Sequence, residues 1–105
     1  MASGSSAGGR FEVHASGIVG RKLQELQRAA ARAGFGPAFG AALHAMVVRF
    51  QHDPENFGEP VYRLPALRMQ LRHAAIRPLF VHYAVCEDRP LVFLKGVAMM
   101  LPAAP

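Results

Sequence analysis

The chain has 105 residues, 51% of them hydrophobic, and this length predicts one domain with a sizeable core. No stretch approaches the roughly 18 uninterrupted apolar residues of a membrane span, and the Gly/Ser-rich segment 1–9 lacks the apolar stretch of a signal peptide. The lone Cys86 excludes an internal disulfide, and we expect it to be a small buried side chain at a strand end. A cytoplasmic protein without a membrane partner is therefore expected. Its 12 Lys and Arg against 7 Asp and Glu give a net charge of +5, which permits a nucleic acid or an acidic protein as partner.

The first half of the chain predicts one strand followed by two helices. Residues 1–10 are expected to form a disordered tail, and 11–101 a single domain. Phe11–Ala15 alternates between apolar and polar residues, as a short strand does. Ile18–Ala33 places its apolar residues at spacings of three and four, which predicts a helix with Ser16 as its N-cap. A second helix is predicted from Pro37 to the residue before Asp53-Pro54, and the short link makes the two helices antiparallel.

The second half predicts consecutive antiparallel strands. Leu67–Arg72 alternates with Leu67, Met69 and Leu71 on one side, and Leu79–Val85 is a nearly continuous apolar run typical of a central strand covered on both faces. Glu87–Pro90 predicts a turn, and Leu91–Val97 completes a hairpin. The predicted fold is therefore α+β, a two-helix hairpin packed on one face of a small, twisted, mostly antiparallel sheet. The first strand is expected at an edge, beside a later strand.

Four arginines lie between Val61 and Pro78 with no acidic residue among them: Arg63, Arg68, Arg72 and Arg77. We expect them to form one row on the exposed side of the twisted sheet. Such a row either prevents wrong strand pairing or binds phosphate groups or an acidic peptide, and the sequence leaves both alternatives open.

Two histidines, His73 and His82, are candidate proton carriers near neutral pH. His73 lies at a turn beside Arg72, which favours chemistry there, whereas His82 lies in an apolar run and is expected to be buried and hydrogen-bonded. His14, His44 and His52 lack metal-ligand spacing, so no metal site is predicted. No phosphate-binding glycine loop is present, and no cofactor is expected.

The order of the elements and several short motifs resemble the RelE/ParE toxin superfamily of bacterial toxin–antitoxin proteins, over about Phe11 to Val97. The loop Asp53–Pro60 has the form D-P-x-x-F-G-E-P, and the next strand carries Leu71-Arg72 before a turn. Ile76–Val85 is similar to the family's Y-R-[LV]-x-Y-x-V strand, and Glu87-Asp88 precede a V-x-[FV]-[LI]-like strand at Leu91–Leu94.

The resemblance implies a twisted antiparallel sheet on two helices and an antitoxin whose flexible segment wraps the protein. Many members cut messenger RNA in the ribosomal A site, where basic side chains of the concave sheet face hold the phosphate and the RNA 2′-hydroxyl is the nucleophile. Carried to this sequence, it implies that Arg72 and Arg77 are catalytic. Arg63, Arg68, His73 and Lys95 are predicted to bind RNA or a partner. The expected function is a toxin-like component of a type II toxin–antitoxin system, acting as a ribosome-dependent mRNA endoribonuclease with a cognate antitoxin-like partner.

One stretch departs from the family pattern. Family nucleases usually follow the last strand with a basic residue and then a His or Tyr, but Ala98–Pro102 contains no acid, base or aromatic residue. This favours an alternative, a non-catalytic toxin-fold protein that binds an antitoxin-like segment or a gyrase-like target through its basic sheet face. An unrelated α+β interaction module without a nucleic-acid role is a third hypothesis.

Overall fold

The computed structural model describes residues 10–100 and confirms the predicted α+β architecture. The elements in chain order are β1 (Glu12–Ala15), α1 (Gly17–Arg32), α2 (Gly36–His52), β2 (Glu59–Leu64), a 3-10 turn (Pro65–Leu67), β3 (Met69–Ile76), β4 (Leu79–Cys86) and β5 (Leu91–Met99). The predicted tail, apart from Arg10, and Leu101 lie outside the described residues. No helix in the described range is long and apolar enough to cross a membrane.

The five strands form one open, mixed sheet in the order β1-β5-β4-β3-β2. Strands β2 to β5 pair antiparallel with one another, as predicted. Strand β1 pairs parallel with β5, from Glu12 opposite Leu91 to Ala15 opposite Leu94. The first strand therefore lies at an edge beside a later strand, which confirms the prediction. The two helices between β1 and β2 carry the chain from one edge of the sheet to the other.

The helix ends follow the predicted capping chemistry. The Ser16 hydroxyl accepts a hydrogen bond from the Val19 amide at 3.2 Å and so caps α1. Gly34 adopts φ +90° just after α1, a left-handed conformation that glycine allows, and its amide donates to the Ala31 carbonyl at 3.1 Å. Helix α2 has a proline in its first turn and ends where Asp53 precedes Pro54.

The core lies between the helices and one side of the sheet. Phe39, Met46 and Phe50 of α2 are buried against Leu79 and Tyr83 of β4. The other side of β4 carries the half-buried Phe80 and the exposed His82, and no described helix packs there. The prediction that this central strand is covered on both faces holds only for its second half, where Ala84 and Cys86 are also buried; around Phe80 and His82 it is wrong, because both helices pack on the opposite side. Cys86 is buried, as expected.

The residues of β3 alternate between the two sides of the sheet as predicted, but the side that carries Arg72 faces the helices and not the solvent. It begins at Met69, because Leu67 lies in the 3-10 turn and Arg68 adopts the left-handed φ of 52°. Arg72 is paired with Tyr83, so both side chains point toward the helices, whereas Leu71 points to the uncovered side. The prediction of a solvent-facing arginine at position 72 is wrong, because the register with β4 turns that position inward.

Candidate functional site: the open face of the sheet

Arg72 is a buried cation held by neutral oxygens. Its side chain is 6% exposed, and its Nε donates to the Phe57 carbonyl at 3.1 Å. Its two terminal nitrogens donate to Gln70 Oε1 at 2.7 Å and to the Gly58 carbonyl at 3.2 Å. These bonds attach the loop after α2 to strand β3. The guanidinium that the resemblance predicts to be catalytic is therefore engaged by the protein's own chain.

Tyr83 strengthens the same attachment from the neighbouring strand. Its hydroxyl lies 3.1 Å from the Pro54 carbonyl oxygen and also contacts that of Phe57. Burial raises the pKa of Tyr83, and the nearby Arg72 guanidinium opposes that rise. Its ring packs on Phe50, with centroids 4.7 Å apart. Together, Arg72 and Tyr83 fix the loop that leads into β2.

The other predicted arginines lie at three separate places. Arg63 forms a two-pronged ion pair with Glu87, at 2.5 and 2.7 Å, and this contact lowers the pKa of Glu87. Arg68 is exposed at the start of β3, and Arg77 is exposed in the tight turn between β3 and β4. Five residues of extended strand separate Arg72 from Arg77, about 17 Å. The structure therefore does not bring these two arginines together on one phosphate.

The side of the sheet away from the helices, here called the open sheet face, brings aromatic rings together instead. Strand register places Glu59, His73, His82 and Gly96 in one row across four strands. The ring centroids of His73 and His82 are 6.0 Å apart, and Phe80 lies 5.6 Å from His73 and 5.1 Å from His82. The sequence-based expectation that His82 is buried is wrong, because its side of β4 is uncovered.

A carboxylate and a shallow cleft border this histidine pair. The Glu59 carboxylate lies 3.7 Å from His73 Nε2. Glu59, His73 and Phe80 line a cleft of about 230 Å³ together with Gly58, Ala74 and Ala75. A Cβ built on Gly96, at the other end of the row, would meet nothing within 4 Å, so the ring of His82 is accessible from that side. The two imidazoles can therefore be reached by a ligand lying along the row.

A second His–Phe pair extends the open sheet face toward β1. His14 and Phe93 have ring centroids 5.5 Å apart, and His14 Nε2 lies 2.8 Å from the Glu12 carboxylate. Lys95 occupies the extra position of the bulge in β5, next to Gly96, and is exposed. Within residues 10–100 no three His, Cys, Asp or Glu side chains are placed to hold a metal ion.

The open sheet face combines the features of a ligand surface with those of proton-transfer chemistry. Exposed aromatic rings bind nucleobases by stacking, and histidine is the side chain whose ordinary pKa lies near neutral pH. Of the predicted site residues, His73 lies at its centre and Lys95 at its β5 side. His82, Phe80 and Glu59 were not predicted as site residues. The tight turn at Arg77-Pro78 is the signal that could have found His82 and Phe80, since a hairpin centred there pairs His73 with His82, whereas Glu59 depends on the separate pairing of β2 with β3.

Comparisons with protein-family models, with curated proteins and with solved structures find no match to this chain.

Proposed function

We propose that this protein is a toxin-like component of a bacterial toxin–antitoxin system that cleaves messenger RNA on the ribosome, with the open sheet face as its RNA-binding surface. The observation that carries the proposal is the cross-strand pair of His73 and His82, whose rings are 6.0 Å apart on an uncovered sheet beside Phe80. The two helices packed on one side of a mostly antiparallel sheet are also what the RelE/ParE resemblance implies.

Two histidines are sufficient for the proton transfers of RNA cleavage. One neutral imidazole removes the proton of the 2′-hydroxyl as this oxygen bonds to phosphorus. The other imidazole, protonated, gives its proton to the 5′-oxygen as the bond between phosphorus and that oxygen breaks. The products are a 2′,3′-cyclic phosphate and a 5′-hydroxyl. We assign His73, whose Nε2 lies 3.7 Å from the Glu59 carboxylate, as the acid and His82 as the base.

Neighbouring groups supply binding and charge stabilisation. Phe80 lies beside both imidazoles and offers a ring on which a base next to the scissile bond can stack. Lys95, at the bulge next to Gly96, supplies a positive charge near the end of the row where the phosphate would lie. Arg72 has no direct role in this proposal, because it is buried on the opposite side of the sheet, where the Phe57 and Gly58 carbonyls and Gln70 accept from three of its five N–H donors.

The experiment is ribosome-dependent cleavage of a defined messenger RNA, mapped by primer extension, with His73→Gln and His82→Gln. Each substitution should reduce the rate about 10²–10⁴-fold, the usual contribution of a general acid or base. His44→Gln, on the exposed surface of α2, is the matched control and should cleave like the parent. Circular dichroism confirms that all three variants are folded. If either His73→Gln or His82→Gln cleaved RNA at the rate of the parent, the assignment of these histidines as acid and base would be wrong.

A non-catalytic role is the second candidate, and the internal engagement of Arg72 favours it. Here the open sheet face binds an antitoxin-like segment or a gyrase-like target without cutting RNA. If the parent protein cleaves no ribosome-bound RNA, and its His73→Gln variant loses affinity for an acidic or amphipathic partner segment, this alternative replaces the first. The affinity should then fall as salt rises, since opposite charge would steer the encounter.

A further inference from the structure

Helix α1 carries most of the chain's excess positive charge. It holds Arg21, Lys22, Arg28 and Arg32 but only one acidic residue, Glu25, a net charge of +3 out of the +5 of the whole chain. All four cations are exposed, and within residues 10–100 none of them forms an ion pair. Helix α2, by contrast, has one arginine, and this arginine lies near Asp53.

Three of these cations, Arg21, Arg28 and Arg32, form a straight line along the helix, called here the α1 arginine line. At about 100° per residue they fall within roughly 40° of one another, and a rise of about 1.5 Å per residue spreads them over about 16 Å. The buried Val19 and Ala30 lie on the opposite side of the helix. The α1 arginine line therefore points directly away from the core.

Only part of this arrangement serves the stability of the helix, since Arg32 in the last turn interacts favourably with the helix dipole. Arg28 and Arg32 are four residues apart, where like charges repel each other. The first turn of α1 contains no acidic residue that would interact favourably with the helix dipole. The spacing of Arg21 and Glu25 would allow a compensating ion pair, but none forms within 4.0 Å. The positive potential on this surface is thus uncompensated locally.

We propose that the α1 arginine line binds the phosphate backbone of double-stranded RNA. A guanidinium presents a two-pronged donor that matches a phosphate, and a line of three can follow successive phosphates without reading bases. A protein partner would need large apolar anchors at the centre of its interface, but the exposed side chains between the arginines are polar, as Gln24 and Glu25 are, apart from the small Ala31. The exposed apolar Ile18 lies beyond one end of the line.

The position of α1 separates this surface from the open sheet face. Helix α1 packs against β5 and α2 on the covered side of the sheet, so the α1 arginine line and the histidine pair face opposite ways. The protein can then hold a duplex on one side while a single strand lies on the other, as a large structured RNA would present them. The choice of RNA over DNA rests on the proposed function, whereas the phosphate contact itself does not.

The test measures binding of a fluorescently labelled RNA duplex of arbitrary sequence by anisotropy over a range of salt concentrations. The variant is Arg28→Gln/Arg32→Gln, and the control Arg10→Gln/Arg89→Gln removes the same charge from exposed positions outside α1. Each lost phosphate contact should lower the slope of log K against log salt by about 0.9, so the variant loses about 1.8. At about 0.1 M salt this corresponds to roughly 60-fold weaker binding, whereas the control should stay within about twofold.

The proposal would be overturned if the control lost as much affinity for the duplex as the α1 variant, because binding would then depend on net charge. It would also be overturned if the α1 variant kept the salt slope of the parent, because binding would then depend on another surface. Two further arms identify the ligand: a DNA duplex of the same sequence, and vesicles of phosphatidylcholine and phosphatidylserine. Tighter binding of either, with the same dependence on Arg28 and Arg32, would replace RNA as the partner. His73→Gln should bind the duplex like the parent, so failure of the cleavage proposal and failure of this one give different results.

Discussion

Replacement of Arg72 distinguishes a structural arginine from a catalytic one. Arg72→Ala removes three hydrogen bonds, to the carbonyl oxygens of Phe57 and Gly58 and to Gln70 Oε1. Bonds that involve a charged group each contribute about 1.5–3 kcal/mol. Removing a buried cation that has no carboxylate partner also relieves its desolvation cost, which offsets part of the loss. We therefore expect a net loss of about 3–4 kcal/mol, a large part of the 5–15 kcal/mol that stabilises a typical domain.

Urea unfolding followed by circular dichroism measures this loss. With a slope of about 1–3 kcal/mol per molar urea, the midpoint of Arg72→Ala should fall by about 1–4 M while the slope stays unchanged. Arg28→Ala, on the exposed surface of α1, is the control and should change stability by less than about 0.5 kcal/mol. A parent-like midpoint for Arg72→Ala, together with lost RNA cleavage, would refute the structural role and restore the catalytic assignment.

Three further predictions concern pH and backbone conformation. Because burial raises the pKa of Tyr83, its contribution to stability is fully present below the ordinary tyrosine value of about 10 and is lost as the pH rises through the raised value. Urea unfolding at several alkaline pH values should show this loss in the parent and not in Tyr83→Phe. Gly58→Ala should destabilise by about 2–4 kcal/mol in thermal melts, since φ is +68° and the new Cβ would overlap β3. Gly34→Ala, at φ +90° with nothing within 4 Å, should lose only about 1–2 kcal/mol. The Arg63 ion pair lowers the pKa of Glu87, so its contribution is present above the ordinary glutamate value and is lost as the pH falls through the lowered one. In Arg63→Ala, NMR titration should show the pKa of Glu87 returning upward.

Local sequence signals were sufficient for the elements and for the fold class. The apolar spacing of α1, its Ser16 cap and the proline in the first turn of α2 all act within a few residues, so the helices follow from the sequence. The edge position of β1 also followed, because a short strand that precedes a helix pair has few places to pair. The helices and the position of β1 therefore depend on residues that are close together in the sequence.

The side of the sheet on which β3 places its arginine could not be predicted in the same way. Alternation shows which residues share a side, but it does not show which side is covered. That choice depends on Tyr83 of the neighbouring strand and on the carbonyls of Phe57 and Gly58, which lie 15 and 14 residues before Arg72. A guanidinium that finds several acceptors in the core is retained there, although its charge alone suggests the surface.

The buried Arg72 and the exposed histidine pair are connected through the chain. Arg72 holds the Gly58 carbonyl on the covered side of the sheet, and the next residue, Glu59, lies beside His73 on the open side. An Arg72 variant that still folds should therefore change the position of Glu59 and lose the proposed cleavage activity, although Arg72 itself does not contact RNA in that proposal. Arg72→Lys, which keeps the charge but not the two-pronged donor, and Glu59→Gln should then reduce cleavage through the same defect, so the double variant should be no slower than the worse single one. Rate losses that multiply in the double variant would show instead that Arg72 acts on the reaction independently of Glu59.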